Sequence, residues 1–418
     1  MKVLHITYSD LNGGAAKAAY RLHIAQRKAG INSSMLVVDK LSKNSNVQNL
    51  KGLCRLRVKI AGVISRNILK FQTKENKVHH SINFFSNGVA DVINQMDVDV
   101  VNLHWVGNEF LSPKDISRIK APIVWTLHDM WPFCGAEHYC ELSGNERYLS
   151  GYSENNKLIT SKGIDIDKLV FKKKKKYLQN NTNIHYVSPS KWLNESLQRS
   201  YLLNGTSSYV IPNCLDHNSY KVLDTQFCRK LLNLPENKIL ILFGAMSSTS
   251  DPRKGYHLLK EALELISEQL SENNVEIVIF GAEEGDLEKE VGLKAHYLGV
   301  LKDDYSLIAA YNAADFFVAP SLQDNLPNTL VESLACGTPA VSYQVGGLSD
   351  LICSDLMGEL ACTLAAESLA SKILKQLNKT TIPNEIAQVS NMKRNEEKIA
   401  DLYLKLYNSI LHDAAVGK

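Results

Sequence analysis

The sequence predicts an α/β protein of two doubly wound parallel-sheet domains, and three observations carry that expectation. Short β-branched runs alternate along the chain with amphipathic stretches at helical spacing. The runs end in loops rich in Gly, Ser, Asn or Pro, as strands do at the ligand-binding edge of an open sheet. A chain of 418 residues is too long for one ordinary core and suits two domains of about 200 residues.

In chain order, the first-half strands are expected at Val3–Tyr8, Ser34–Val38, Val98–Leu103, Ile123–Leu127 and Ile184–Ser188. The second-half strands are expected at Ile239–Phe243, Val275–Phe280, Phe316–Ala319 and Ala340–Tyr343. The start, MKVLHITYSD, has too short an apolar run for a secretory leader and reads as a strand. A boundary falls near Val210–Tyr220, where a strand runs into a polar, helix-poor segment. This gives an N-terminal domain over 1–210 and a second over 211–395. In the tail, 396–418, Ile399, Leu402, Tyr403, Leu406 and Ile410 share one helical face, which needs a partner surface and is expected to pack on the first domain. Two segments, Lys40–His80 and Leu142–Lys168, are polar and weakly periodic, and no repeat of fixed period occurs.

The net charge of +3 argues against a general polyanion or nucleic-acid binder. No stretch approaches the roughly 20 apolar residues of a membrane span, so the expected location is the cytoplasm, or at most the inner face of its membrane. Eight cysteines form no CxxC pair. Cys134 and Cys140 flank His138, but no further ligands lie at suitable spacing, so reduced structural thiols are expected and no metal. Lys172–Lys176 has apolar residues on both sides. It reads either as a solvated helix face or as a contact for anionic lipid headgroups or a pyrophosphate-linked acceptor.

Three loops carry candidate chemistry. The first strand empties into Ser9–Ala16, with Gly13 and Gly14 before a helix over Lys17–Arg27. Small residues there leave amides uncovered at the positive end of a helix, which suits a phosphate. In the second half, Gly244 follows a strand, and Arg253-Lys254-Gly255 open a helix over Tyr256–Leu265. Cations at a helix start oppose its dipole, an arrangement that makes sense with a polyanion in front of them. The third segment runs from Ala319 to Pro339. A buried strand ends at Pro320, a polar loop carries Asp324, and a helix starts near Asn328 with Glu332 about one turn in. Both carboxylates are placed to face one ligand, with amides from Leu326 to Leu330 meeting its phosphates. Among other residues, His104 with Trp105, and His79 with His80, read as loop or edge residues. Glu283, Glu284 and Asp286 read as a solvated acidic turn.

The Asp324-x7-Glu332 segment, with its trailing Ala335-Cys336-Gly337-Thr338-Pro339, resembles the E-x7-E region of glycosyltransferase family 4, retaining enzymes of GT-B fold. Gly13-Gly14, Trp125-Thr126-Leu127-His128-Asp129, Val187-Ser188-Pro189-Ser190, Ile211-Pro212-Asn213, Arg253-Lys254-Gly255, Gly299-Val300-Leu301 and Gly346-Gly347 fall in the family's order. His128-Asp129-Met130-Trp131-Pro132-Phe133 is similar to the exopolysaccharide and O-antigen subgroup of bacterial transferases. The resemblance implies two Rossmann-like domains facing across a cleft, and transfer from a UDP- or GDP-linked sugar to a glycan or polyprenyl-diphosphate-linked acceptor. It implies no metal or other cofactor, front-face attack with retention, and domain closure that excludes water.

Carried over residue by residue, the resemblance gives Lys254, helped by Arg253, the donor diphosphate, and Asp324 the donor-sugar hydroxyls. It gives Glu332 the ribose, the amides around Asn325, Leu326, Pro327, Asn328, Thr329 and Leu330 the phosphates, and Val300 and Leu301 the edge of the base. Gly13 and Gly14 approach the β-phosphate, Gly244 borders the donor, and His128 stands beside the sugar–acceptor junction. Two positions depart from the pattern: Asp324 is one methylene shorter than the usual Glu, and Ala245 stands where many members carry Arg. A nucleotide-sugar 2-epimerase and a non-catalytic nucleotide-sugar- or glycan-binding subunit are the alternatives.

Overall fold

The computed structural model describes all residues except 74–77, 141–145, 158–160, 245–250 and 417–418. It divides into two compact units, Met1–Cys214 with Glu396–Lys418, and Leu215–Asn395.

The first unit is built on a seven-stranded sheet. Its strands are β1 (Lys2–Ser9), β2 (Asn32–Asp39), β3 (Val47–Asn49), β5 (Val100–Leu103), β6 (Ile123–Thr126), β8 (Ile184–Ser188) and β9 (Ser208–Val210), and β4 (Gln72–Thr73) and β7 (Lys162–Gly163) pair separately as a short antiparallel ribbon. The sheet order is β3-β2-β1-β5-β6-β8-β9 with every pairing parallel. β1 is central because its side chains are covered on both faces. Leu4 and Ile6 join a core with Leu36, Val101, Leu103 and Trp125. Val3 joins a second core with Val100, Val124 and Val187. The helix Glu396–Val416 supplies the other side of that second core, inserting Ile399, Tyr403, Leu406 and Ile410. Such continuous burial is what a parallel strand needs, and it explains the near-unbroken apolar run at the start of the chain.

The second unit has six parallel strands, β10 (Ile239–Gly244), β11 (Val275–Phe280), β12 (Ala295–Tyr297), β13 (Phe316–Ala319), β14 (Ala340–Tyr343) and β15 (Gly358–Ala361). Their order is β12-β11-β10-β13-β14-β15. Sequence order reverses between β1 and β5 in the first sheet and between β10 and β13 in the second. The carboxyl ends of those strand pairs are the crevices where open α/β sheets take ligands.

Several sequence expectations are corrected. The segment Lys40–His80 contains an 18-residue helix, Gly52–Leu69. Its periodicity was masked because apolar residues lie on its outer face as well as its inner one, so no clean inside–outside contrast survives. The first helix begins at Gly14, about one turn earlier than Lys17, because Gly13 caps it with φ 95°. The short strands β3, β12 and β15 were missed, each being three or four residues long.

The lysine run is neither a uniform solvated face nor a continuous patch. Lys174 is fully buried. Its ammonium donates to the carbonyls of Trp131, Cys134 (3.1 Å) and Gly135 (2.6 Å) and lies 3.7 Å from the Trp131 ring centre. Burial pushes its pKa down to about 7. Lys173 donates to the Phe84 carbonyl, and Lys175 to the Tyr201 hydroxyl at 2.9 Å. One run of identical residues therefore serves both the interior and the surface, as a helix periodicity of 3.6 requires.

Candidate active site

In the second unit the two loops at the switch point are bolted together. Leu322 N donates to the Arg253 carbonyl at 2.7 Å, and the Arg253 guanidinium donates to the Gln323 carbonyl at 3.1 Å and to Asp251 at 2.7 Å. Lys254 then reaches Asp324, with Nζ 2.6 Å from Oδ2. Two glycines permit this approach. Gly255 has φ 68°, and a Cβ on it would lie 1.9 Å from the Pro320 carbonyl oxygen. Gly346 has φ 55°, and its Cβ would lie 1.9 Å from the Asp324 carbonyl oxygen, which also accepts from Gly347 N at 3.1 Å. Only glycine fits where φ is positive and a backbone oxygen occupies the Cβ position.

The helix Asn328–Ala335 starts beside this pair, and its N-cap, Pro327, offers no side-chain cap. Leu330 and Val331 donate to the Pro327 carbonyl at 3.1 and 3.2 Å. Asn325 and Leu326 are buried, and Thr329 is half-buried. Glu332 lies deeper than the sequence placed it. It is 2 % exposed, and one carboxylate oxygen accepts from the Tyr311 hydroxyl at 3.0 Å. The structure thus brings Arg253, Lys254 and Asp324 together, while Glu332 sits beneath the helix surface.

Elsewhere in the unit, Gly244 ends β10 against the Phe280 ring. Val300 is exposed and Leu301 half-buried, on a turn whose Gly299 carbonyl accepts from Gly281 N at 2.7 Å. Ala245 lies outside the described residues.

In the first unit, Gly13 and Gly14 are exposed at the end of β1, and no side chain caps the helix that follows. His128 follows β6, and here the sequence reading missed most of the site. His104, expected at a loop or edge, is buried at the end of β5. Its Nδ1 lies 3.1 Å from His128 Nε2, and its Nε2 lies 2.9 Å from His5 Nδ1. His5 Nε2 meets the Gln26 carbonyl oxygen at 2.9 Å, while the Gln26 amide nitrogen donates to the Tyr407 hydroxyl at 3.0 Å.

That row has one consistent set of protons. An amide oxygen only accepts, so His5 carries its proton on Nε2 and accepts at Nδ1. His104 must then donate from Nε2 and accept at Nδ1, and His128 must donate from Nε2. His128 Nδ1 is left unprotonated, as a hydrogen-bond acceptor. Burial lowers the pKa of His5 and His128 to about 4 and holds that of His104 well below the ordinary 6.5, so all three rings are neutral near pH 7. The signal for His104 was legible: it follows a buried strand just as His128 does, on the neighbouring strand.

Asp129 is committed to structure. Its Oδ2 lies 2.6 Å from His138 Nδ1 and accepts from the Trp105 indole at 3.0 Å, while His138 Nε2 lies 2.8 Å from Ser81 Oγ. These bonds occupy both nitrogens of His138, the ring that Cys134 and Cys140 flank.

Among the described residues, His80, Glu137 and Asp167 could converge on one cation. Asp167, however, already accepts from Ala136 N and Gln72, and the Lys174 ammonium lies close by. That trio reads as part of the buried polar network around Lys174.

Residues 237–379 match the family model described as "Glycosyl transferases group 1". Over 142 residues the chain is 32% identical to the D-inositol 3-phosphate glycosyltransferase of Xylanimonas cellulosilytica, 32% of each chain. Over 119 residues it is 30% identical to the N,N'-diacetylbacillosaminyl-diphospho-undecaprenol alpha-1,3-N-acetylgalactosaminyltransferase of Campylobacter jejuni, 28% of this chain and 31% of that one. The alignments thus span about a third of the length of the curated relatives.

Solved structures extend the likeness to the whole fold. Sucrose-phosphate synthase from Thermosynechococcus elongatus superposes with a TM-score of 0.66 at 16% identity, over 99% of this chain and 100% of that one. Anabaena HepE, in complex with UDP and glucose, gives 0.65 at 17% identity, over 98% and 100%. Residues 237–379 are thus similar to the group 1 glycosyl transferases, and over its length the chain has the GT-B fold.

Proposed function

We propose that this chain is a retaining glycosyltransferase that moves a sugar from a UDP- or GDP-linked donor to a glycan or lipid-linked acceptor in cell-surface polysaccharide synthesis. The observation that carries the reading is the Lys254–Asp324 pair, braced at the switch point of the second sheet beside a helix start with no side-chain cap. A cation held there offsets charge on a departing diphosphate, and the uncapped helix end offers amides to the same group. Asp324 keeps Lys254 in place. When the donor arrives, the ammonium turns to phosphate, and the freed carboxylate accepts sugar hydroxyls.

Two likenesses support the choice of ligands. HepE was solved with UDP and glucose, and the Campylobacter relative is named for an undecaprenol-diphosphate acceptor. Within the first unit, His128, which follows β6 and meets His104, is the residue that this reading places beside the sugar–acceptor junction.

The test is nucleotide release from UDP- and GDP-sugars, with and without glycan or lipid-linked acceptors. Acceptor-dependent release supports transfer. Release of equal rate without acceptor, or tight binding with no release, refutes it. Lys254→Ala should lower kcat/KM by about 10²–10³-fold, the usual cost of removing a charge-stabilising donor from such a site.

A further inference from the structure

The helix Gly52–Leu69 keeps an apolar face in solvent. Leu53, Leu56, Ile60, Val63 and Ile64 are each between 43% and 68% exposed. Their spacing of i, i+3, i+7, i+10 and i+11 puts them on one stripe. The opposite face, with Val58, Ala61 and Ser65, is the buried one. At the end of the helix the stripe is continued by Phe71, which is also exposed. Ile164 is likewise exposed, and its amide donates to the Phe71 carbonyl at 3.2 Å.

The charges carried by the helix itself are all of one sign. Residues 51–70 contain six cations, Lys51, Arg55, Arg57, Lys59, Arg66 and Lys70, and no carboxylate. On a wheel of 3.6 residues per turn, Arg57 borders the stripe on one side, and Lys59 and Arg66 border it on the other. Asp39 pairs with Lys59 at 2.8 Å and with Arg55 at 3.5 Å. Among the described residues, Lys51, Arg57, Arg66 and Lys70 enter no ion pair. No helix among the described residues is long and apolar enough to cross a membrane.

We infer that this face docks on an anionic lipid bilayer, lying in the plane of the headgroups. An exposed apolar stripe of this size marks a binding surface. Arg57 and Arg66 on the two borders of the stripe are complementary to acidic phospholipids, whose headgroups would meet these arginines while the aliphatic side chains enter the acyl boundary. The surface is not built from the lysine run at 172–176, whose central Lys174 is interior. The inference does not depend on sugar transfer, because its readout is sedimentation rather than turnover.

The full chain should sediment with vesicles of phosphatidylglycerol and phosphatidylcholine in equal parts, and far less with phosphatidylcholine alone. Added salt should release it. Arg57→Gln with Arg66→Gln should weaken the partition by about 30-fold, since each cation near such a surface contributes about fivefold. Leu56→Ser with Ile60→Ser should abolish it. All four side chains point to solvent, so the variants should keep the wild-type melting temperature.

Equal binding to both vesicle types would overturn the proposal, as would wild-type binding by both double variants. So would light scattering that shows a lipid-free dimer which Leu56→Ser with Ile60→Ser converts to a monomer. In that case the face belongs to a second copy of the chain.

Discussion

His5, His104 and His128 form a row whose protons are set from one end. Gln26 fixes the row because its amide oxygen can only accept and its nitrogen is held by Tyr407. We expect nitrogen NMR of the full chain to show His128 protonated at Nε2 and bare at Nδ1. Gln26→Leu removes the acceptor that orients His5 and should mix the tautomers along the row. An Nδ1-protonated His128 in the wild type would refute this assignment. None of this order was readable from the sequence. His5 and Gln26 sit inside a strand and a helix where they look like polar intrusions, and only the 2.9 Å contacts give them a role.

At the scale of elements, the decisive feature is how one loop is strapped to another. The Arg253–Gly255 turn and the Asp324 loop touch through backbone groups, and the second of these also rests on Gly346. Gly346→Ala puts a Cβ where the Asp324 carbonyl now sits, at a φ that alanine rarely adopts. The carbonyl must move, and the carboxylate with it. We expect a stability loss of about 1–3 kcal/mol and at least tenfold weaker donor binding, measured by calorimetry. Gly292→Ala is the control, with φ 76° but nothing within 4 Å of the new Cβ. It should cost about 1 kcal/mol and leave donor affinity unchanged. Equal donor binding by the two variants would show that the strap does not position the site.

The strands themselves were legible at this scale. β8, β11, β13 and β14 have the bounds their sequences predict, because an apolar β-branched run flanked by turn residues is a local signal. The helix Gly52–Leu69 was not legible, because residues facing water there look like residues facing a core.

Across the whole molecule, titratable burial is uneven. His5, His23, His104 and His128 all lie in the first unit, and all have pKa values below the ordinary 6.5. The sign of the consequence follows from linkage. As pH falls through 6.5 the unfolded chain gains protons that these buried rings refuse, so stability present at neutral pH is lost between 6.5 and about 4. At pH 5 each such ring costs up to about 2 kcal/mol, at ~1.4 kcal/mol per pH unit. All four tryptophans, Trp105, Trp125, Trp131 and Trp192, belong to the same unit. Urea unfolding followed by tryptophan fluorescence therefore reads it selectively. The midpoint should fall clearly between pH 7 and pH 5, and an unchanged midpoint would contradict neutral buried histidines.

The sequence by itself determined the fold class, the order of the strands along the chain and the loops that carry chemistry. Periodicity, glycines at strand ends and apolar runs act over a few residues and are written locally. Only the tertiary structure decided which of those loops meet. Lys254 and Asp324 are 70 residues apart in sequence, His5 and His104 are 99 apart, and Gln26 and Tyr407 are 381 apart. The same is true of what lies inside. Lys174 and Glu332 carry side chains that a sequence assigns to solvent or ligand, yet one is buried among carbonyls and the other beneath a tyrosine hydroxyl. Burial of a charge is settled by partners brought from elsewhere in the chain, and no short-range pattern records them.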